Sequence, residues 1–156
     1  VPSDATVSTA KIVDGAVTYA KASGFGKVLQ VVSATDSTQR STTSTSYVTG
    51  SNTLSVNITP SATSSKILLL LSTGIQGSNG VSAYYTIYRD ATNIGGTNGF
   101  FNYNNAARES FTTNYLDSPN STSQLTYQLY FKMESSTAYI NINSAKSSLT
   151  AIEIGA

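Results

Sequence analysis

Hydrophobic and polar residues alternate in short stretches along most of the chain, and turn-forming residues separate these stretches. Residues 53–59 show the pattern most clearly, because every second residue from Leu54 to Ile58 is aliphatic and the residues between them are polar. A period of two predicts a strand with one buried face and one solvated face. The same reasoning predicts about ten strands, over residues 27–33, 45–49, 53–59, 66–73, 82–89, 93–101, 110–116, 124–132, 137–142 and 147–154.

Two of the predicted strands are apolar or aromatic on both faces. Residues 67–71 are one isoleucine followed by four leucines, and Gly74 ends this stretch too early for a stable helix. We therefore predict a central strand here. In the tyrosine-rich strand, Tyr84 and Tyr88 share one face and Tyr85 lies on the other. This arrangement predicts that one face packs in the core and the other meets a neighbouring subunit or solvent.

The regular spacing of strands and turns predicts an all-β fold, an antiparallel β-sandwich or jelly roll of about ten strands. Residues 50–52 (GSN) are typical of a hairpin turn between the second and third predicted strands. The sandwich head is predicted to cover residues 26–156, after a short N-terminal stalk or linker over residues 1–25. In that segment VSTAK at 7–11 returns as VTYAK at 17–21, and this ten-residue repeat is too short and polar to fold alone. Its apolar residues need a partner surface, on the same chain or on identical chains.

Charged and reactive side chains are scarce. The chain has nine Lys and Arg residues, eight Asp and Glu residues, a net charge of +1, and neither histidine nor cysteine. These absences exclude disulfides, thiolate metal sites and histidine-based catalysis, and no metal or cofactor is expected. The weak net charge predicts no nucleic-acid partner. The longest apolar run has five residues, against the roughly 20 that span a bilayer, so no membrane insertion is expected.

The shortage of charge also bears on assembly and catalysis. Monomeric sandwiches protect edges and outer faces with charged residues, so we expect other subunits to cover part of the outer face. Catalysis would need two carboxylates facing across a cleft. The eight candidates show no diagnostic spacing, and we therefore predict a non-enzymatic protein. They are Asp4, Asp14, Asp36, Asp90, Asp117, Glu109, Glu134 and Glu153.

The sequence starts at Val1 rather than methionine, which we interpret as a processed or C-terminal piece, although an unresolved leader would look the same.

Residues 100–105 (FFNYNN) are the stretch that best suggests ligand binding. Aromatic faces beside amide groups can bind sugars by stacking and hydrogen bonding. The alternative is that Phe100 and Phe101 are core or subunit-interface residues followed by an asparagine-rich turn. We favour this alternative.

Five pieces of the chain resemble the C-terminal domains of bacteriophage fibre proteins, chiefly the tail fibres of tailed phages. They are DGAVTYAK at 14–21, KVLQVV at 27–32, SSKILL at 64–69, YLDSP at 115–119 and IEI at 152–154. The resemblance implies a homotrimeric part of a fibre or other surface appendage of the virion, with a receptor-binding tip as one role. Its implied partners are two identical chains, other virion proteins through the N-terminal segment, and a host cell-surface receptor, for which a glycan is one class. Two alternatives stay open, a glycan-binding adhesin module of a bacterium and a fibre enzyme that degrades polysaccharide.

Strand parity predicts where a receptor would bind. If each predicted strand crosses the sandwich from end to end, loops 34–44, 60–65, 90–93, 117–123 and 143–146 lie far from the stalk, and loops 50–52, 74–81, 102–109 and 133–136 lie beside it. The two ends of the chain then lie together. The predicted receptor-binding residues of the far loops are Asp36, Arg40, Asp90, Asp117, Asn120, Asn143 and Lys146. The alternative is that these are ordinary solvated turns.

Overall fold

The computed structural model describes residues 27–155, which contain twelve strands and one short 3-10 turn at Ile142–Ser144. The strands are β1 (Lys27–Asp36), β2 (Arg40–Thr42), β3 (Val48–Thr49), β4 (Ser55–Ile58), β5 (Lys66–Gln76), β6 (Ala83–Arg89), β7 (Thr92–Asn93), β8 (Phe101–Tyr103), β9 (Arg108–Asp117), β10 (Leu125–Met133), β11 (Ala138–Ile140) and β12 (Ser147–Gly155). The predicted stalk of residues 1–25 and its repeat lie outside the described residues.

The first sheet is built around β5. One edge of β5 pairs with β9, from Ile67 opposite Asp117 to Gln76 opposite Arg108. Its other edge pairs with β12 and then with β11. β1 and β2 in turn pair with the far edges of β12 and β11. The prediction of a central strand at residues 66–73 is therefore confirmed.

The second sheet is built around β10 and β6. β3 and β4 pair one after the other with the free edge of β10, and β7 and β8 do the same with β6. Four pairs of consecutive strands each continue in one direction along the sheet, namely β1 with β2, β3 with β4, β7 with β8, and β11 with β12. If each such pair is counted as one line, each sheet has four lines of antiparallel strands. In chain order these lines run 1-8-3-6 in the first sheet and 2-7-4-5 in the second, which is the strand order of a jelly roll. The predicted all-β antiparallel fold is confirmed.

The sandwich has two ends, which we call the base and the distal end. Lys27 pairs with Gly155 at the base, where β5 begins and β9 ends. The loops at the base are 59–65, 90–91 and 118–124, and the distal loops are 43–47, 77–82, 104–107 and 134–137. The predicted closeness of the two chain ends is thus confirmed for the head.

The core lies between the sheets and is filled by the alternate residues that face inward. Tyr85 is fully buried at its centre, and its ring lies 6.2 Å from the rings of Phe111 and Phe131. Its hydroxyl donates to the carbonyls of Gln76 and Tyr139, at 3.3 and 3.2 Å. Burial accordingly raises the pKa of Tyr85 well above its usual range. Since Tyr84 and Tyr88 face outward, the predicted division of this strand is confirmed.

The hairpin predicted at residues 50–52 is wrong. β3 and β4 pair in succession with the same edge of β10, so the chain continues in one direction through these residues. Gly50 extends the ladder by donating its N–H to the carbonyl of Leu129 at 2.7 Å. The Ser51 hydroxyl then accepts a bond from the amide of Leu54 at 3.2 Å. Because Thr49 lies opposite Tyr130 and Ser55 opposite Gln128, the local turn chemistry builds a short excursion within one line of strands instead of a reversal.

The turn predicted at residues 143–146 does not reverse the chain either, because β11 and β12 both pair with β5 in the same direction. Asn141, Asn143 and Ser144 have positive φ angles of 52°, 57° and 58°, which let the chain leave the sheet briefly and return. The Asn141 side chain anchors this excursion by donating to the carbonyl of Thr38 at 2.9 Å. Two predicted reversals are therefore absent, and their effects cancel over the whole chain.

For every loop between residues 52 and 143, the predicted end of the sandwich is the opposite of the observed one. Predicted far loops 60–65, 90–93 and 117–123 lie at the base, and predicted stalk-side loops 74–81, 102–109 and 133–136 lie at the distal end. Loop 34–44 begins within β1, contains β2 and ends in the distal loop, and loop 143–146 lies along the first sheet. The receptor-site prediction therefore loses its geometric basis.

An ion pair joins the two sheets at the base. Nη1 of Arg89 on β6 lies 2.8 and 2.7 Å from the two carboxylate oxygens of Asp117 on β9. The Tyr127 hydroxyl donates to the same carboxylate at 2.6 Å. Burial and this hydrogen bond raise the pKa of Tyr127 well above its usual range. Since Asp117 is only 5% exposed, these partners take the place of water around its carboxylate.

We expect Asp117→Asn to lower the free energy of unfolding by about 2–3 kcal/mol, because Arg89 loses a buried counter-charge. Urea unfolding near neutral pH measures this loss. The matched control is Asp90→Asn, at the same end, because an asparagine oxygen can still accept the bond that Asp90 takes from the Thr126 amide. The control should change stability by less than about 0.5 kcal/mol. An equally small change for Asp117→Asn would contradict the role of the ion pair.

Candidate functional site

The outer face of the first sheet carries an apolar row that crosses all four lines of strands. Val31 lies opposite Ile152, Ile152 opposite Leu68, and Leu68 opposite Leu116. We call these four residues the apolar row. Val31 is 56% exposed and Leu116 is 46% exposed, although both side chains are fully apolar. Burying each such side chain would contribute about 1.5–3 kcal/mol.

The apolar surface continues on both sides of this row. Ile154, opposite Val28, extends it toward the base. Leu70, 41% exposed, extends it toward the distal end. Among the described residues, every large hydrophobic side chain that is exposed lies in this sheet: Val28, Leu29, Val31, Leu70 and Leu116. The first sheet therefore has an outer face that is suited to contact with another apolar surface.

Two rows of small polar residues lie distal to the apolar row. The first row contains Ser33, Thr150, Leu70 and Asn114, and the second contains Thr35, Ser148, Ser72 and Thr112. Apart from Leu70, all of these side chains carry a hydroxyl or an amide. The short side chains leave a depression of about 370 Å³ between β12, β5 and β9. No charged residue occurs in these rows or in the apolar row. We call the three rows together the uncharged strip.

A buried carboxylate supports the apolar row from the inner side of the sheet. Glu153, 1% exposed, accepts hydrogen bonds from Gln30 Nε2 at 2.6 Å and from the backbone N–H and hydroxyl of Ser61 at 2.7 and 2.6 Å. Burial alone would raise the pKa of Glu153, but these hydrogen bonds outweigh it and lower the pKa to about 2. The bonds attach β1 and the 59–65 loop to β12, directly beneath Ile152 and Ile154.

The seven predicted receptor-binding residues fall into two groups. Asp90, Asp117 and Asn120 lie at the base, whereas Asp36, Arg40, Asn143 and Lys146 lie where β1 meets β2 and β11 meets β12. Asp117 is buried in the ion pair with Arg89. The Asp36 carboxylate accepts bonds from Ser51 and Arg40, at 2.5 and 3.2 Å, and from the Thr38 amide. These two carboxylates therefore serve the fold.

The other five predicted residues have mainly local backbone roles or are solvated. Asp90, Asn120 and Asn143 have positive φ angles of 51°, 51° and 57°, which is typical of tight turns. Arg40 pairs with Asp36, and Lys146 is exposed. Receptor binding by any of the seven stays a prediction, but they do not form a single distal site.

The aromatic stretch at residues 100–105 agrees with the interpretation that we favoured. Phe100 and Phe101 pack against the core, with the Phe101 ring 4.7 Å from that of Phe111. Tyr103 follows in β8, and its hydroxyl donates to the carbonyl of Ala107. Asn104 and Asn105 then lie in a distal loop.

The apolar face of the first sheet was missed as a site, although the sequence contained its signal. The run at residues 67–71 is apolar on both faces, which means that both faces need a cover. Ile152 and Ile154 also lie on the face opposite Leu149. The predicted alternation placed Ile152 and Ile154 on the same face as Leu149, so the outer apolar face was not recognised.

No protein-family model matches the sequence, and no curated protein matches it either. Among solved structures, the chain is similar to the VP2 protein of infectious bursal disease virus in derived T=1 particles, with 16% identity and a TM-score of 0.47 over 80% of this chain and 36% of that one. The T13 particle of the same virus gives 15% identity and a TM-score of 0.47, over 80% and 37% of the two chains. Its Gx strain gives 14% and 0.45, over 81% and 40%. The chain thus spans well under half the length of these proteins. At these values the likeness carries no functional argument, and the strand order defines the fold.

The described residues also bear on metal binding and on membrane insertion. No group of three or more Asp or Glu residues among them is placed to hold a metal ion. None of their helical segments has the length and apolar character of a membrane-spanning helix.

We expect Glu153 to make the free energy of unfolding depend on pH. Its pKa is about 2 in the folded chain and 4.5 for an ordinary glutamate, so its contribution to stability is complete above pH 4.5 and is lost as the pH falls toward 2. Glu153→Gln should therefore lower the free energy of unfolding near neutral pH, and the difference from wild type should shrink over that acid range. Glu109→Gln, on the exposed start of β9, is the control and should show no such trend. A constant difference for Glu153→Gln would contradict the mechanism.

Proposed function

We propose that the chain is a non-enzymatic structural protein of a bacteriophage virion, the C-terminal part of a homotrimeric fibre or similar surface appendage. The uncharged strip on the first sheet carries this proposal. It is a sheet face with exposed aliphatic side chains and no charge, and a second and third copy of the chain would cover it. The stalk of residues 1–25 would join the head to other virion proteins.

The pieces that resemble phage fibres support the same surface. Four of them lie within the described residues, at 27–32, 64–69, 115–119 and 152–154. They are far apart in sequence, but they fall on β1, β5, β9 and β12, which are neighbours in the first sheet. Each piece supplies one member of the apolar row. The resemblance and the exposed apolar surface therefore coincide at the base half of one face.

The direction of the strip favours a rotation axis parallel to the strands, and the resemblance to phage fibres implies that this axis is threefold. The three rows follow one another along the strands, so an axis parallel to the strands would let the strips of three copies face each other. This arrangement places Lys27 of every copy at the same end, as a shared stalk requires. A twofold axis perpendicular to the strands would place the bases at opposite ends instead.

The two alternatives remain distinguishable from this proposal. For the polysaccharide-degrading enzyme, two carboxylates must face a cleft, but Asp36, Asp117 and Glu153 are occupied by hydrogen bonds in the fold. Reducing ends released from host polysaccharide would favour the enzyme. If an electron-density map of assembled phage particles lacked this head, the bacterial adhesin module would be favoured.

We also propose that the head recognises the host surface. An excess of purified head should then compete with phage adsorption.

We expect Val31→Lys combined with Leu116→Lys to convert the trimer into monomers. Both side chains are more than 40% exposed in the single chain, so the added ammonium groups cost the monomer little. In the trimer the same groups would be desolvated without a counter-charge. Size-exclusion chromatography with light scattering at micromolar concentration measures the mass, and circular dichroism confirms the strands.

The matched control is Thr92→Lys combined with Asn98→Lys, which adds the same charge at exposed positions on the second sheet's side. The control should remain trimeric. A wild-type monomer at micromolar concentration would contradict the proposed assembly. A trimer that survives Val31→Lys and Leu116→Lys would move the interface to another face.

A further inference from the structure

The outer face of the second sheet carries a cluster of aromatic side chains around one lysine. Tyr88 and Tyr130 stack with ring centroids 4.0 Å apart, and the Tyr47 ring meets Tyr88 edge-on at 6.1 Å. The Lys132 ammonium lies 4.7 Å from the centre of the Tyr47 ring and 4.8 Å from that of Tyr84. We call these five residues the tyrosine–lysine cluster.

The cluster is held rigidly, although it lies outside the core. Tyr84, Tyr88, Tyr130 and Lys132 project from the paired strands β6 and β10, on the face opposite Tyr85. The Tyr47 hydroxyl donates to the carbonyl of Thr97 at 3.2 Å, which fixes its ring across the sheet. A preformed aromatic surface loses little conformational entropy on binding.

Part of the cluster remains available for a ligand. Tyr47, Tyr88, Tyr130 and Lys132 are all half-buried, so each keeps some exposed surface. The hydroxyls of Tyr88 and Tyr130 make no hydrogen bond with another described residue. Tyrosine hydroxyls donate and accept, and ring surfaces contact the apolar C–H faces of sugars.

The charge of this face selects among ligands. Lys132 is the cation of the face, and the outward positions of β3, β4, β6, β7, β8 and β10 carry no carboxylate. Glu134, just beyond β10, is engaged by the Tyr84 hydroxyl. Lys132 is therefore placed to attract an anion beside aromatic rings and free hydroxyls, the combination that suits a carboxylated sugar.

We propose that the tyrosine–lysine cluster binds acidic polysaccharide, with sugar rings on Tyr88 and Tyr130 and a sugar carboxylate on Lys132. This rests on the proposed function in one respect, since the second sheet faces away from the first and stays accessible when the uncharged strip is covered. The binding itself needs no trimer. The proposal names the ligand class and moves the binding surface from the predicted loops to a sheet face.

Binding is tested with the full chain and a panel of polygalacturonate, hyaluronate and polysialic acid, with neutral dextran as the uncharged comparison. Affinity electrophoresis or isothermal titration at low salt gives the dissociation constants. We expect at least one acidic polymer to bind and dextran not to bind. Tyr130→Leu and Lys132→Gln should each weaken binding about tenfold, and Lys132→Gln should also reduce its salt dependence. Tyr139→Leu, a tyrosine of the first sheet, is the matched control and should bind like wild type.

The outcomes separate the two proposals. Absence of binding to all three acidic polymers, or equal binding by Lys132→Gln, would overturn the cluster as the site. If Tyr130→Leu unfolds, which circular dichroism detects, Lys132→Gln decides alone, because its stem can still pack. Acidic-polymer binding by a protein that light scattering shows to be monomeric would support the cluster and contradict the trimer.

Discussion

The rest of the architecture depends on one strand, β5, which is apolar on both faces. Its inward residues Ile67, Leu69 and Leu71 are buried between the two sheets, where the hydrophobic effect stabilises them. Within residues 27–155, its outward residues Leu68 and Leu70 have no second sheet above them. A strand at the centre of a sheet cannot rotate one face away from water without breaking pairs on both edges. The apolar outer face is therefore a fixed property of the described fold, and our proposal is that other copies of the chain cover it.

Buried carboxylates keep that face in shape. Asp117 on β9 and Glu153 on β12 both lie at the base and point inward, while their neighbours Leu116 and Ile152 point outward into the apolar row. Each carboxylate is satisfied by groups from another element, Arg89 and Tyr127 in one case and Gln30 and Ser61 in the other. A register slip would leave each buried carboxylate without these partners, which disfavours the slipped arrangement. The alternation of the strand then transmits this restriction to the surface.

Much of the fold could be predicted from the sequence, because a period of two depends only on whether a residue faces inward or outward. The central strand and the division of Tyr85 from Tyr84 and Tyr88 follow from that alone. The direction of the chain at residues 50–52 and 143–146 does not, because glycine, serine and asparagine suit a short excursion from the sheet as well as a reversal. The ladder with β10 or β5 decides between them, and these partners are distant in sequence. The predicted placement of the candidate receptor-binding residues at one far end is wrong for the same reason, since it depended on counting reversals.

The two outer faces solve the same problem differently. On the second sheet, Tyr47 lies against Tyr88, Tyr88 stacks on Tyr130, and Lys132 lies over the rings of Tyr47 and Tyr84, so the face is covered by its own side chains. In the uncharged strip of the first sheet the side chains are aliphatic or short, and none is long enough to cover its neighbours. Aliphatic groups gain most from being removed from water entirely, whereas tyrosine tolerates a wet surface because its hydroxyl remains solvated. This difference in side-chain chemistry is why we propose the first face for contact between subunits and the second for ligands that come from solution.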